Sequence, residues 1–148
     1  YFHSLVRTPN DIQGAQDSGH ARRINRKKYA LDDLCELLTS DPEQSAIFEG
    51  YRRLLSLRKQ QPTFHPDGNQ RAIQTGDSSI VVFERTSRDG QQRILVVANF
   101  ADSSRELSRD VLAGVSGVRD LIEGATLDRE RVVLQPCQIM WLEVASPR

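Results

Sequence analysis

The sequence predicts an α+β chain in two parts, a strand, a long irregular loop and two helices followed by an antiparallel β-sandwich. Three observations carry this: apolar residues recur at helical spacing from Leu31 to Gln60, the period changes to two after Pro66-Asp67-Gly68-Asn69, and the residues from Arg7 to Tyr29 follow neither period.

The chain opens on Tyr1-Phe2-His3-Ser4-Leu5, apolar and β-prone, which predicts a strand. The segment 7–29 is rich in Asn, Asp, Gln, Gly and Arg and predicts a loop; a connection this long is where binding or catalytic residues are sought first. Leu31, Leu34, Leu37 and Leu38 predict a helix over 31–39. Ser40-Asp41-Pro42 stops it and starts another over 42–60, with Asp41 as N-cap, Pro42 at the first helical position and Gln44 at the third. Ile47, Phe48, Tyr51, Leu54 and Leu55 form its apolar side, and Arg58 and Lys59 suit its C-terminal end. Strands follow at 72–75, 79–86, 93–100, 105–107, 118–122, 131–134 and 138–144, and Asp89-Gly90 marks the hairpin between the second and third. The boundary is expected near Pro66, giving parts 1–66 and 67–148. One strand and two helices cannot enclose a core large enough to offset the entropy of ordering them, so the first part reads as the end of a (β/α)8 barrel, whose loops after the strands form the catalytic face.

Composition narrows the function classes. The 148 residues contain 20 Lys and Arg against 20 Asp and Glu, a formal net charge of zero, so neither nucleic acid nor an anionic membrane is an expected partner. No run approaches the roughly 18 apolar residues of a bilayer span. Cys35 and Cys137 have no metal-type spacing and are expected reduced and buried; neither they nor His3, His20 and His65 suggest a metal, and no cofactor is expected.

Arg22-Arg23-Ile24-Asn25-Arg26-Lys27-Lys28 is the densest charge cluster. It reads as a solvated face, as a phosphate or RNA contact, or as a polar clamp in a sugar or phosphate pocket, where a guanidinium holds carboxylates or hydroxyls with its planar donors. Asp11 and Asp17 are either acid/base groups or turn formers. Ser4 and Ser18 lack a nucleophile elbow, and Trp141, alternating with Met140 and Leu142, reads as core rather than as a sugar platform.

Tyr1-Phe2-His3-Ser4-Leu5, Pro9-Asn10-Asp11, Arg22-Arg23-Ile24-Asn25-Arg26, Arg52–Lys59 and Phe64-His65-Pro66, with Val96–Phe100 and Leu134–Leu142 downstream, resemble the C-terminal stretch of sucrose-phosphorylase-type enzymes of the α-amylase superfamily, glycoside hydrolase family 13. Within it the sucrose 6-phosphate, glucosylglycerate and glucosylglycerol phosphorylases are the most similar in pattern. The resemblance implies an eighth barrel strand ending near His3, an active-site loop, two closing helices and a C-terminal β domain. It implies that Arg22 reaches the glucosyl subsite, that Asn10 and Asp11 lie toward the acceptor or phosphate, and that Arg23 and His3 are further candidates for substrate contact. The pattern departs at Arg7, where a Gly is expected, and at Arg23, where a small or acidic residue is usual, so an arginine there is a candidate for an anionic acceptor or phosphate.

The implied activity is transfer of a glucosyl group from an α-glucoside such as sucrose to inorganic phosphate, in the cytoplasm, giving glucose 1-phosphate. Amylosucrase-like transfer and α-glucosidase hydrolysis are the alternatives within the superfamily. The Asp nucleophile and Glu acid/base of the double displacement are expected outside these residues, so this stretch alone is expected to be inactive and to need the rest of the barrel as partner. A rival of another class is a stand-alone β-sandwich that binds carbohydrate or protein. A piece of an enzyme predicts Ile47, Tyr51, Leu54 and Leu55 left exposed; an independent module predicts them covered.

Overall fold

In the computed structural model, which describes residues 2–145, the chain divides into two units, Tyr1–Ser56 and Leu57–Arg148. The first unit is helical: α1 (Phe2–Val6), α2 (Ile12–Ser18), a 3-10 turn (Ala21–Asn25), α3 (Leu31–Ser40) and α4 (Pro42–Lys59), whose last residues pass into the second unit. The helix restart is built as its sequence requires: Asp41 Oδ1 accepts from the backbone N–H groups of Glu43 at 2.9 Å and Gln44 at 3.2 Å.

Two expectations for this unit are corrected. Phe2–Val6 is helical rather than a strand, with Tyr1 outside the described residues. No strand is found among the described residues of this unit, and an unpaired strand leaves its N–H and C=O groups without the partners that a helical turn supplies internally. The loop 7–29 contains α2 and the 3-10 turn. Each is too short for periodicity to reveal, and α2 is set instead by its ends, Asp11 accepting from Gly14 N–H and Gly19 closing the helix at φ 65°.

Of the apolar side chains described in this unit, only Val6 is buried. Leu31, Tyr51 and Leu55 are 73, 44 and 48% exposed, while Ile47, Phe48 and Leu54 are half-buried. Gln44 is buried, and its Oε1 has no hydrogen-bond partner among the described residues. Cys35 is exposed, against expectation, because it faces away from the Leu34, Leu37 and Leu38 side of α3.

The second unit holds the core. Its strands are β1 (Asn69–Ile73), β2 (Ile80–Thr86), β3 (Arg93–Asn99), β4 (Arg105–Glu106), β5 (Gly117–Asp120), β6 (Thr126–Leu127), β7 (Val133–Leu134) and β8 (Ile139–Ala145). Six form an antiparallel sheet in the order β1-β2-β3-β8-β5-β6, and β4 pairs with β7 in a separate ribbon. Alternation puts Ile80, Val82, Leu95, Val97, Met140, Leu142 and Val144 on one face of the large sheet. Leu107, beside the ribbon, Leu134 of β7, and Val111 and Leu112 of the 3-10 turn Arg109–Leu112 join them in one cluster, the two-layered core expected of a β-sandwich.

The hairpin turns at Gly90, φ 72°, and β2, β3, β4, β5, β7 and β8 fall close to their expected places. β1 starts three residues before its expected position, because pairing puts Asn69 opposite Thr86 and Arg71 opposite Glu84. β5 ends at Asp120, where Gly124 N–H donates back to the Asp120 carbonyl at 2.8 Å; β6, two residues long, carried no readable pattern. Cys137 is exposed, a second correction to the cysteines: it sits at φ 56° in the turn before β8, outside the ladder that would bury it.

The opposite face of the sheet is covered in part by a 3-10 turn, Pro62–Phe64, where Thr63 is fully buried. Arg85 donates to the carbonyls of Thr63 at 3.0 Å and His65 at 2.6 Å, Gln92 Oε1 accepts from Thr63, and the Phe64 ring lies 4.7 Å from that of Trp141. Asn99 Nδ2 donates to the carbonyls of Ser103 and Gln135, both at 2.9 Å, and its Oδ1 accepts from Ala101 N–H, so the two downstream motifs meet through one buried amide. No helix among the described residues is long and apolar enough to cross a membrane.

Candidate functional site

The site is built from Asp11 outward, within the first unit. Asp11 Oδ1 caps α2 by accepting from Gly14 N–H at 3.1 Å, and Oδ2 lies 3.6 Å from Arg23 Nε. Its own N–H donates to the Ile24 carbonyl at 2.6 Å and its carbonyl accepts from Ala15 at 3.0 Å. One residue therefore ties the first turn of α2 to the end of the Ala21–Asn25 turn. Its side chain is 15% exposed, against 57% for Arg23.

Gly14 makes this contact sterically allowed. A Cβ there would collide with the Asp11 carboxylate and fall 2.8 Å from Arg23 Nε, so the carboxylate and guanidinium occupy the space a side chain would need. Sequence reasoning did not single out Gly14; its available signal was a glycine inside a segment now seen to be helical, where glycine costs about 1 kcal/mol against alanine.

Asp11, Gly14, Asp17, His20, Arg22, Arg23, Arg26, Lys27 and Lys28 line an open cleft of about 890 Å³. Five cationic side chains face it against two carboxylates, and Asp17 is held by Gln13 Nε2 at 2.7 Å. Arg23 is matched by Asp11. Arg22, exposed on the same turn, forms no ion pair among the described residues, which leaves its donors available to a ligand. Lys27 Nζ lies 5.2 Å from the centre of the Tyr29 ring.

Of the five site candidates, Asp11, Arg22 and Arg23 come together in this cleft. Asn10 is exposed beside Asp11 and is not part of the lining. His3 lies elsewhere, on α1, with Nδ1 against Thr8 Oγ1 and its ring edge-on to Tyr29 at 5.9 Å. Arg7 adopts φ 48°, a left-handed conformation that favours glycine, and its guanidinium pairs with Glu43. The described residues include no group of three His, Cys, Asp or Glu placed to hold a metal ion. In the β unit, the lining of a cleft of about 420 Å³ includes Gln92 and Glu143, which engage each other: Gln92 Nε2 donates to Glu143 Oε1 at 2.9 Å and to Gln61 Oε1 at 2.7 Å.

The chain is 29% identical to the glucosylglycerate phosphorylase of Escherichia coli over 144 residues, 97% of this chain and 25% of that protein. It is 32% identical to the glucosylglycerate phosphorylase of Allomeiothermus silvanus over 143 residues, 96% of this chain and 23% of that protein. The chain thus spans about a quarter of the length of these curated relatives. Among solved structures, an arginine-to-cysteine variant of the trehalulose synthase MutB aligns with a TM-score of 0.55 at 27% identity, covering 72% of this chain and 19% of that one. AmyP in complex with maltose aligns with a TM-score of 0.59, covering 72% of this chain and 22% of that one; at 15% identity this likeness concerns the fold alone. No family model matches the chain. The resemblance read from the sequence motifs and the fold class it implied are both borne out.

Proposed function

From the premise that this chain is similar to glucosylglycerate phosphorylases over nearly its whole length, we propose that it is part of a glycoside phosphorylase of the α-amylase superfamily, with Arg22 as the clamp on the glucosyl group. The observation that carries the role of Arg22 is the contrast within one turn: Arg23 is matched by Asp11, while Arg22 reaches the cleft with no ion pair among the described residues. A guanidinium left so offers planar donors to sugar hydroxyls or to an acidic group supplied by the longer protein. The exposed Tyr51 and Leu55 and the nearly coreless first unit fit a segment completed by that longer protein rather than a free-standing module.

The proposed reaction is a retaining double displacement. A carboxylate of the parent enzyme attacks the anomeric carbon and a carboxylic acid protonates the departing glycosidic oxygen; an oxygen of hydrogen phosphate then attacks the same carbon, its proton returning to the deprotonated acid as the carboxylate is released and glucose 1-phosphate forms. Glucosylglycerate is the first substrate to test, and the cytoplasm, where phosphate is plentiful, is the proposed location.

The test incubates the full-length gene product with glucosylglycerate, with and without phosphate. Glucose 1-phosphate formed only with phosphate is the expected result. Free glucose formed at the same rate without phosphate assigns a hydrolase, and transfer to another sugar assigns a transferase; either overturns the reading. Arg22→Ala should lower kcat/KM for the glucoside by about 10- to 100-fold, the range for losing a charged hydrogen bond.

A further inference from the structure

Arg22 and Arg23 are neighbours on a 3-10 turn, so their side chains leave the backbone roughly 120° apart, and both line the cleft. The backbone of this turn sets the azimuth from which both side chains depart, and its end is tied to α2 by the Asp11 N–H donating to the Ile24 carbonyl at 2.6 Å. Asp11 fixes Arg23 through Oδ2, holds the following peptide through its N–H to the Ile24 carbonyl, and is itself anchored at the start of α2 through Oδ1. Gly14 leaves the space in which carboxylate and guanidinium meet.

We propose that Asp11, Gly14 and Arg23 form a positioning device that sets the direction of Arg22, and that Arg23 itself contacts no substrate. The proposal rests on the reading of Arg22 as the glucosyl clamp. It accounts for three features together: a glycine inside a seven-residue helix, a largely buried aspartate in a segment rich in cations, and two adjacent arginines of which one is paired and the other presented to the cleft. An arginine at position 23 is then an element of the turn's architecture, not of acceptor recognition.

A double-mutant cycle in the full-length protein tests this, with glucosylglycerate and inorganic phosphate as substrates. Asp11→Asn keeps an oxygen to cap α2 and removes the charge facing Arg23. Arg23→Gln removes the other half of the pair, and Gly14→Ala closes the space. Each is made alone and combined with Arg22→Ala. Asp11→Asn and Arg23→Gln should each lower kcat/KM for glucosylglycerate about 3- to 10-fold and Gly14→Ala at least about tenfold, since misplacing a binding group by a fraction of an ångström is costly, with KM for phosphate unchanged.

All three effects should vanish when Arg22 is already alanine, because the device then has nothing to position. Effects that multiply in full with that of Arg22→Ala overturn the proposal: they are the signature of a general structural role or of direct contact between Arg23 and the acceptor. Asp11→Asn and Arg23→Gln keep the cycle decisive if Gly14→Ala does not fold. If Arg22→Ala alone leaves kcat/KM unchanged, the clamp reading falls first and this proposal with it, whereas a large Arg22→Ala effect with fully additive partners defeats the positioning proposal only.

Discussion

Glu84 offers the sharpest test of how the β unit is held. It occupies a core-facing position of β2, in line with Ile80 and Val82, yet carries a carboxylate whose side chain is 9% exposed. Arg71 reaches it with two donors, Nε to Oε1 at 3.1 Å and Nη2 to Oε2 at 3.3 Å, and Arg93 Nη2 donates to Oε2 at 2.6 Å. Burial alone pushes the carboxyl up; the hydrogen bonds and charges of Arg71 and Arg93 more than offset it, leaving the group below its ordinary range.

Replacing Glu84 by glutamine keeps the shape and turns an amide N–H₂ toward guanidinium donors. Arg71, 67% exposed, can turn to water and adds little to the loss, whereas Arg93, 30% exposed, is left with fewer acceptors. The expected loss is about 2 kcal/mol, below the roughly 3–5 kcal/mol of a fully buried pair. Trp141, the single tryptophan of the 148 residues, lies in β8 and reports urea unfolding of this unit by fluorescence. With a slope of about 1–2 kcal/mol/M, the midpoint should fall by about 1–2 M.

The pH dependence has a definite sign. A carboxyl whose native pKa is lowered contributes stability above its unfolded value, near 4.3, and that contribution is lost as pH falls through the lowered native value. The gap between wild type and Glu84→Gln should thus be full at pH 7 and shrink below about pH 4. A midpoint shift under about 0.3 M at pH 7, or one undiminished at pH 3, refutes the reasoning.

Other outcomes follow from the same geometry. Arg85→Ala removes donors to the Thr63 and His65 carbonyls and should cost about 1–3 kcal/mol in the same urea assay; no measurable loss would show that the Pro62–Phe64 turn is held without it. Asp120 is the opposite case to Glu84: burial raises its carboxyl against the lowering effect of N–H donors from Ile122 and Trp141, so the charged form opposes folding. Asp120→Asn should therefore gain stability over wild type as pH rises through that raised native value and show no gain below the unfolded value, and an advantage that is constant with pH would contradict this. Arg7→Gly relieves a left-handed backbone worth about 1–2 kcal/mol and loses an exposed ion pair to Glu43 worth about 0–1 kcal/mol, so thermal unfolding of the full-length protein should show unchanged or raised stability.

Much of the fold was legible because its signals act over one or two turns of chain. Asp41-Pro42 marked the start of α4 through a cap that spans three residues, Asp89-Gly90 marked the hairpin through a φ that glycine tolerates, and alternation marked β2, β3 and β8 because each buries one face. The cation cluster at 22–28 was equally plain, and the resemblance of its Arg-Arg-Ile-Asn-Arg stretch singled out Arg22.

Position in space decided the remainder. An apolar, β-prone opening forms a strand only beside another strand, and the described residues of the first unit contain none. Glu84 is tolerated on the core face because pairing sets Arg71 opposite and Arg93 beside it, a match invisible in a linear alternation count. The two cysteines are exposed because one faces away from the apolar side of its helix and the other sits in a turn rather than a ladder. At the cleft, the sequence by itself supplied Asp11, Arg22 and Arg23 as candidates. Only the tertiary structure distinguished a paired arginine from a presented one, because that difference depends on the few ångströms left open at Gly14.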